Sequence, residues 1–287
     1  LRTSAGFDGG YVTSRHGLSV SALAERDGAM ERDYDHDGTR WLNDLRDPDA
    51  IGRKAGERAI AKLGATSMGS GAVPVLFDRR VSASLVGALL GAINGNAVAR
   101  GVSFLKDSLG ETLFSDDISI VEDPLRLRGL GSRPFDGEGV TTAPFDIIRD
   151  GRLDEWLLNT SAARQLGLAT NGHGARGLGG APGISTANVA LLPGGMDAAA
   201  LARQAGRGLW VREMFGPSLN PNTGDYSVGV SGFAIENGER AHPVSEVTIA
   251  GNLRDVFASL VPGSDLHYEH DTNAPSVLVE GLTVAGR

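Results

Sequence analysis

The sequence holds 287 residues and no cysteine, which excludes disulfides, thiolate-ligated zinc and thiol catalysis together. Its 27 basic and 35 acidic residues give a formal net charge of −8, so neither nucleic acid nor an anionic membrane attracts the chain as a whole. The length can bury one large core or two adjoining ones, and the expected compartment is the cytoplasm.

The opening LRTSAGFDGGYVTS lacks the basic and apolar regions of a signal peptide and reads as text from within a fold, so a preceding portion is expected. Residues 1–70 should finish a middle region of strand hairpins and a helix, with a β-rich C-terminal domain over 71–287. LSVSALAERDGAMERDY alternates like hairpin strands, with His16-Gly17 and Asp27-Gly28 as turn positions. Asp33, Asp35, Asp37 and Gly38 imitate the first half of a calcium loop, and Asp44 stands where that loop carries a bidentate glutamate. The text before Asp33 is strand-like rather than helical, which favours a solvated acidic turn over a calcium site. Residues 47–63 carry apolar residues at helical intervals behind Asp47-Pro48, and VPVLFD at 73–78 reads as a short buried strand.

Between Arg80 and Arg100 run nineteen uncharged residues with Gly87, Gly91 and Gly95 four apart. Ser82, Ser84, Asn94 and Asn96 interrupt the apolar surface, so a membrane span is a poor reading. A buried helix packed on a sheet is the expectation, its glycine face letting another backbone approach. ISIVED at 118–123 reads as a strand and 146–158 as a hairpin about Asp150-Gly151.

Gly172, Gly174 and Gly177 spell the letters of a dinucleotide fingerprint, but a helical NTSAARQLG precedes them where a strand is required. A mobile loop that admits the close approach of another chain is the better reading. Strands follow at ANVALLPG, LWVREMF, YSVGVSGFAIENGER, VSEVTIAG and PSVLVEGLTVAG, with short helices at MDAAALARQAG and NLRDVFASL. Ser231 lacks the closing glycine of a nucleophile elbow, and His267 and His270 could join a metal only with a third ligand. The expected fold is α+β, a mostly antiparallel sheet or barrel-like core with packed helices.

Long phrases recur in one order: RDYD (32–35), FDGEG (135–139), LLNTSAARQLG (157–167), NPNTGDYSVGVSGFAIENGE (220–239), PVSEVTIAGNL (243–253) and APSVLVEGLTVAG (274–286). Together they resemble the TldD/TldE family, whose TldE branch is also called PmbA or modulator of DNA gyrase. The family's N-terminal α/β domain has no counterpart here. The resemblance implies that TldD-type proteins hold a catalytic zinc on His-Glu-x-x-x-His in the helix after a Val-rich strand. Flanking phrases set Val86 and Gly87 at the first His-Glu pair and Gly91 at the second His, and none of these can bind metal or move a proton. The family's late cysteine ligand is missing as well.

The implied role is that of a non-catalytic TldE-type subunit, with no cofactor in this chain and zinc in a TldD-type partner. The pair would cleave unfolded or flexible peptides. Candidate peptide or partner contacts are Gly172, Gly174, Gly177, Asn220 and Asn222. The alternatives are a stand-alone homodimer that binds peptides or regulates a target such as gyrase, and a hydrolase using His267 and His270. Neither direct nucleic-acid binding nor membrane insertion is expected.

Overall fold

A computed structural model describes residues 1–4 and 6–286. β1 (His16–Arg26) and β2 (Ala29–Thr39) pair antiparallel along their full length, from His16 opposite Thr39 to Arg26 opposite Ala29. Asp27 and Gly28 connect them at φ of 53° and 80°, the left-handed conformation that a two-residue hairpin turn requires. His16-Gly17 is no turn; both residues lie in β1. α1 (Pro48–Ala61) begins as Asp47-Pro48 foretells, with the Asp47 carboxylate accepting the Asp49 N–H at 3.2 Å. Its buried residues Ile51, Ala55 and Ala59 recur every four positions, and the helix lies along the hairpin.

The elements then run β3 (Gly71–Phe77), α2 (Arg79–Ala92), α3 (Gly95–Ala99), β4 (Ile120–Glu122), β5 (Phe145–Arg149), β6 (Arg152–Leu153) and α4 (Thr160–Leu166). After them come β7 (Gly174–Ala175), β8 (Gly183–Ile184), β9 (Val189–Leu191), α5 (Ala198–Ala205), β10 (Gly208–Leu219), β11 (Asp225–Glu236) and β12 (Glu239–Asn252). α6 (Leu253–Ser259), β13 (Val261–Pro262), β14 (Thr272–Asn273) and β15 (Val277–Ala285) end the order.

Strands pair in the order β12-β11-β10-β3-β15, and β12 pairs again with β15, which closes a five-strand ring. Only the β10–β3 contact is parallel in this ring. Closure satisfies the ladder groups that an open sheet would leave unpaired at its edges. Alternation along β3 and β15 sends Val75, Phe77, Val277 and Val279 to one core shared with Leu85, Val86 and Leu89 of α2. The intervening Leu76 and Leu278 meet Leu201 and Ala202 of α5. A second sheet runs β14-β9-β4-β5-β6. The molecule is therefore α+β with a barrel-like core, as its sequence suggests.

The neutral segment is two helices instead of one. α2 stops at Ala92, and the side chain of Asn94 accepts the Asn96 N–H at 3.0 Å to start α3. Gly95 N–H donates to Leu157 O at 2.8 Å, and a Cβ there would sit 2.7 Å from that same oxygen. Close backbone approach belongs to Gly95 alone of the three glycines, because an added Cβ at Gly87 or Gly91 would meet nothing within 4 Å. None of the described helices is long and apolar enough to cross a membrane.

Candidate functional site

α2 presents the three family positions on different sides. Val86 is 3% exposed and packs into the core, whereas Gly87 and Gly91 face outward. At about 100° per residue, positions 86 and 91 lie roughly 140° apart, so side chains there would diverge. No donor atom is present at any of the three, and these residues do not fit a metal ion. Among the described residues no group of three His, Asp or Glu side chains is placed to hold one.

The glycine-rich loop has a fixed root and an exposed tip. The Gly174 N–H donates to Asp136 Oδ2 at 2.7 Å, and a Cβ there would meet the Glu138 side chain at 2.7 Å. The chain that approaches Gly174 is thus its own FDGEG segment. Asp136 is 2% exposed and also accepts the N–H groups of Glu138 and Val140, while Glu138 Oε2 accepts the Thr160 N–H at 2.7 Å. Gly172 turns at φ +83° beside Thr142, and Gly177 lies in the exposed tip.

Within that root sits a buried pair the sequence did not disclose. His173 Nε2 lies 2.7 Å from Glu122 Oε2, with side chains 2% and 3% exposed. Asn171 Nδ2 donates to Trp156 O at 2.7 Å and its Oδ1 accepts the Leu158 N–H at 2.8 Å, which turns Oδ1 toward His173 Nδ1. Nδ1 thus faces an acceptor oxygen while Nε2 faces the carboxylate, so both ring nitrogens have a hydrogen-bond partner. Glycines surround the histidine, so only tertiary structure reveals its acidic neighbour.

Asn220 and Asn222 form the exposed turn between β10 and β11. Asn220 Oδ1 accepts the Asn222 N–H at 3.0 Å, and Pro221 O accepts the Phe104 N–H at 2.6 Å. Hydrogen bonds from Thr223 and Asn252 hold the neighbouring Asp225 carboxyl below the usual carboxylate range. Burial pushes the Tyr226 hydroxyl up to about 12.

Asp33, Asp35 and Asp37 alternate along β2 and share its α1-facing side, where a turn was expected. Arg80 lies 2.9 Å from Asp33, and Arg46 and Arg58 lie 2.9 and 2.8 Å from Asp35. Burial alone would raise both carboxyl groups, but hydrogen bonds and charge from these arginines hold Asp33 and Asp35 below the ordinary aspartate value. The Asp37 carboxylate accepts the Arg46 N–H at 2.7 Å, and Asp44 pairs with Arg128 at 2.8 Å. These acids tie the hairpin to α1 and α2 and do not build a calcium loop.

His267 and His270 are exposed and engage different partners. His267 Nδ1 lies 2.9 Å from Asp265 O, whereas the His270 ring stacks on His36 at 5.2 Å between centroids.

The PmbA/TldA metallopeptidase central domain model matches residues 1–63, and its C-terminal domain model matches residues 70–286. The chain is 40% identical over 279 residues to the metalloprotease PmbA of Escherichia coli O157:H7, covering 97% of this chain and 60% of the relative. A solved Bacteroides thetaiotaomicron structure named as a modulator of DNA gyrase superposes with a TM-score of 0.90 at 29% identity, covering 99% of this chain and 63% of that one. TldE from Thermococcus kodakarensis shares the fold with a TM-score of 0.86 at 23% identity, over 99% of this chain and 65% of that one. The chain thus spans about 60% of the length of the curated relative it matches. With both domain models matched in order and the barrel shared, the chain belongs to the PmbA/TldD metallopeptidase family.

Proposed function

We propose that this chain is the non-catalytic, TldE-type subunit of a cytoplasmic pair with a TldD-type metallopeptidase, and that the pair cleaves unfolded or flexible peptides. The carrying observation is the outward face of α2, where Gly87 and Gly91 offer no ligand and a Cβ would meet nothing within 4 Å. A peptidase metal site needs about three side-chain ligands, an open position for water and a group that accepts its proton. In this reading zinc and the hydrolytic step belong to the partner, while this chain closes the chamber and holds peptide or partner.

The geometry suits such a task. Ring closure hides the long barrel edges, so free strand edges among the described residues belong to the β1–β2 and β7–β8 pairs and to β6, β13 and β14. An extended peptide can add to an edge of that kind through its main chain. The Gly177 tip and the Asn220–Asn222 turn are the exposed backbone segments beside this scheme.

The test mixes the full-length protein with a TldD-type protein from the same organism and measures mass by light scattering on a sizing column. One co-eluting complex is expected, lost when Gly91→Trp fills the open face of α2. Separate elution of the two proteins contradicts the reading, and a stable homodimer indifferent to the partner favours a stand-alone binding protein.

A further inference from the structure

A second feature lies away from α2. Between α1 and the β10–β11 ladder is a cavity of about 260 Å³, open at a rim where Lys54, Glu57 and Arg240 are exposed. Its floor is shaped by the register shift between Val211 and Glu213, which takes Arg212 out of the regular pairing. Opposite it stands Gly232, where a Cβ would fall 1.9 Å from Trp210 O, so the floor must lack a side chain at that point. Ser231 lines the same wall and donates its hydroxyl to Glu213 Oε2 at 3.2 Å.

The charge in this cavity runs against that of the molecule. Lys54, Arg58, Lys62, Arg212 and Arg240 line it with two carboxylates, Asp33 and Glu57, although the whole chain carries −8. Carboxylates outside the lining pair three of the five cations, Asp35 with Arg58 at 2.8 Å, Glu213 with Lys62, and Asp78 with Arg212 at 3.1 Å. Asp33 is already engaged by Arg80 from outside the cavity. Lys54 and Arg240 have no ion pair among the described residues; Arg240 lies over the Phe233 ring at 4.7 Å. Arg58 Nε is buried without a hydrogen-bond partner among those residues. Burial and then the positive charge of Arg58 hold the Lys54 ammonium below its ordinary range. Arg212 is likewise lowered, by burial first, with Arg80, Arg58 and Arg240 adding to it against the opposing pull of Asp78.

We infer that this cavity is a binding site for a small oxyanion, a carboxylate or a phosphate group. Guanidinium groups present paired donors that match two oxygens at once, and an anion here would supply the counter-charge that Lys54 and Arg240 lack among the described residues. The volume falls below the roughly 300 to 1,000 Å³ of drug-sized pockets, which suits one charged group rather than a nucleotide. Either a free anion or a carboxylate carried on a peptide meets this chemistry. The inference stands whether or not the chain is a TldE-type subunit.

Titration calorimetry on the full-length protein tests it, with inorganic phosphate in one arm. A short acidic peptide occupies the other arm, set against the same peptide with its side-chain acids and C-terminus amidated. Binding in either arm is expected, weakened about tenfold or more in the Lys54→Ala/Arg240→Ala variant, the scale of one lost charge-assisted hydrogen bond. Heat with phosphate alone identifies a free anion, and heat with the acidic but not the amidated peptide identifies a peptide carboxylate. The variant should keep its thermal midpoint, since neither side chain is ion-paired. No binding of any probe at millimolar concentration, or equal binding by the variant, overturns the assignment.

Discussion

His173 and Glu122 show what a single residue contributes here. Each is almost fully buried and each satisfies the other at 2.7 Å, while Glu122 Oε1 also accepts the Ala187 N–H. Removing one partner strands the other in the core, which typically costs about 3 to 5 kcal/mol. Glu122→Leu should therefore lower urea stability by roughly 3 kcal/mol and loosen the loop root; a change under about 0.5 kcal/mol would show the pair to be incidental. Asp33 and Asp35 give a pH prediction of definite sign. Their folded carboxyl groups titrate below the ordinary value of 3.8, so their contribution is fully present above that value. It is lost as pH falls through the lower folded values. Acid unfolding followed by circular dichroism should steepen below about pH 4, and the Arg80→Met variant should lose part of that steepness. The acids of RDYD were visible in the sequence, but their meaning was not. Carboxylate spacing imitated a calcium loop and was read as a solvated acidic turn, whereas the acids lie in a strand and Arg46, Arg58 and Arg80 arrive from other segments to neutralise the group.

At the scale of the element, α2 and α3 separate two kinds of glycine that look alike in sequence. The four-residue spacing suggested one packed face. In three dimensions Gly95 abuts Leu157 O, while Gly87 and Gly91 look into open space. Gly95→Ala should cost about 1 to 3 kcal/mol, since its Cβ has no room. Gly91→Leu should leave folding unchanged or raise stability by up to about 1 kcal/mol through helix propensity. Parallel thermal melts of the two variants check this, and equal destabilisation would mean that both glycines pack internally. The same geometry bears on rebuilding the metal motif with Val86→His, Gly87→Glu and Gly91→His. The histidine at 86 would be buried among apolar side chains with no orienting partner, and it would diverge from the one at 91. Lower stability and no peptidase activity are expected; zinc-dependent cleavage by the triple variant alone would contradict the placement of Val86 in the core.

Across the whole molecule, most strands and helices were legible because each carries its own period, caps and turn residues, the exceptions being the break between α2 and α3 and the His16-Gly17 pair inside β1. Asp47-Pro48, Asp27-Gly28 and Asp150-Gly151 all sit where their chemistry demands. Partner choice was not legible. That β3 joins β10 in parallel, or that β12 returns to β15 to close the ring, depends on packing between segments far apart in sequence. The functional reading has the same division: the absence of ligands at 86, 87 and 91 is written in the sequence, whereas the open face that a partner could cover required the fold. The central claim is that hydrolysis belongs to the assembly and not to this chain. It is tested most directly by the initial rate of cleavage of an unstructured peptide by the full-length protein alone, by a TldD-type protein alone and by their mixture. Cleavage that needs both proteins is the predicted result. Cleavage by this protein alone, or an equal rate from the partner alone and the mixture, would contradict it.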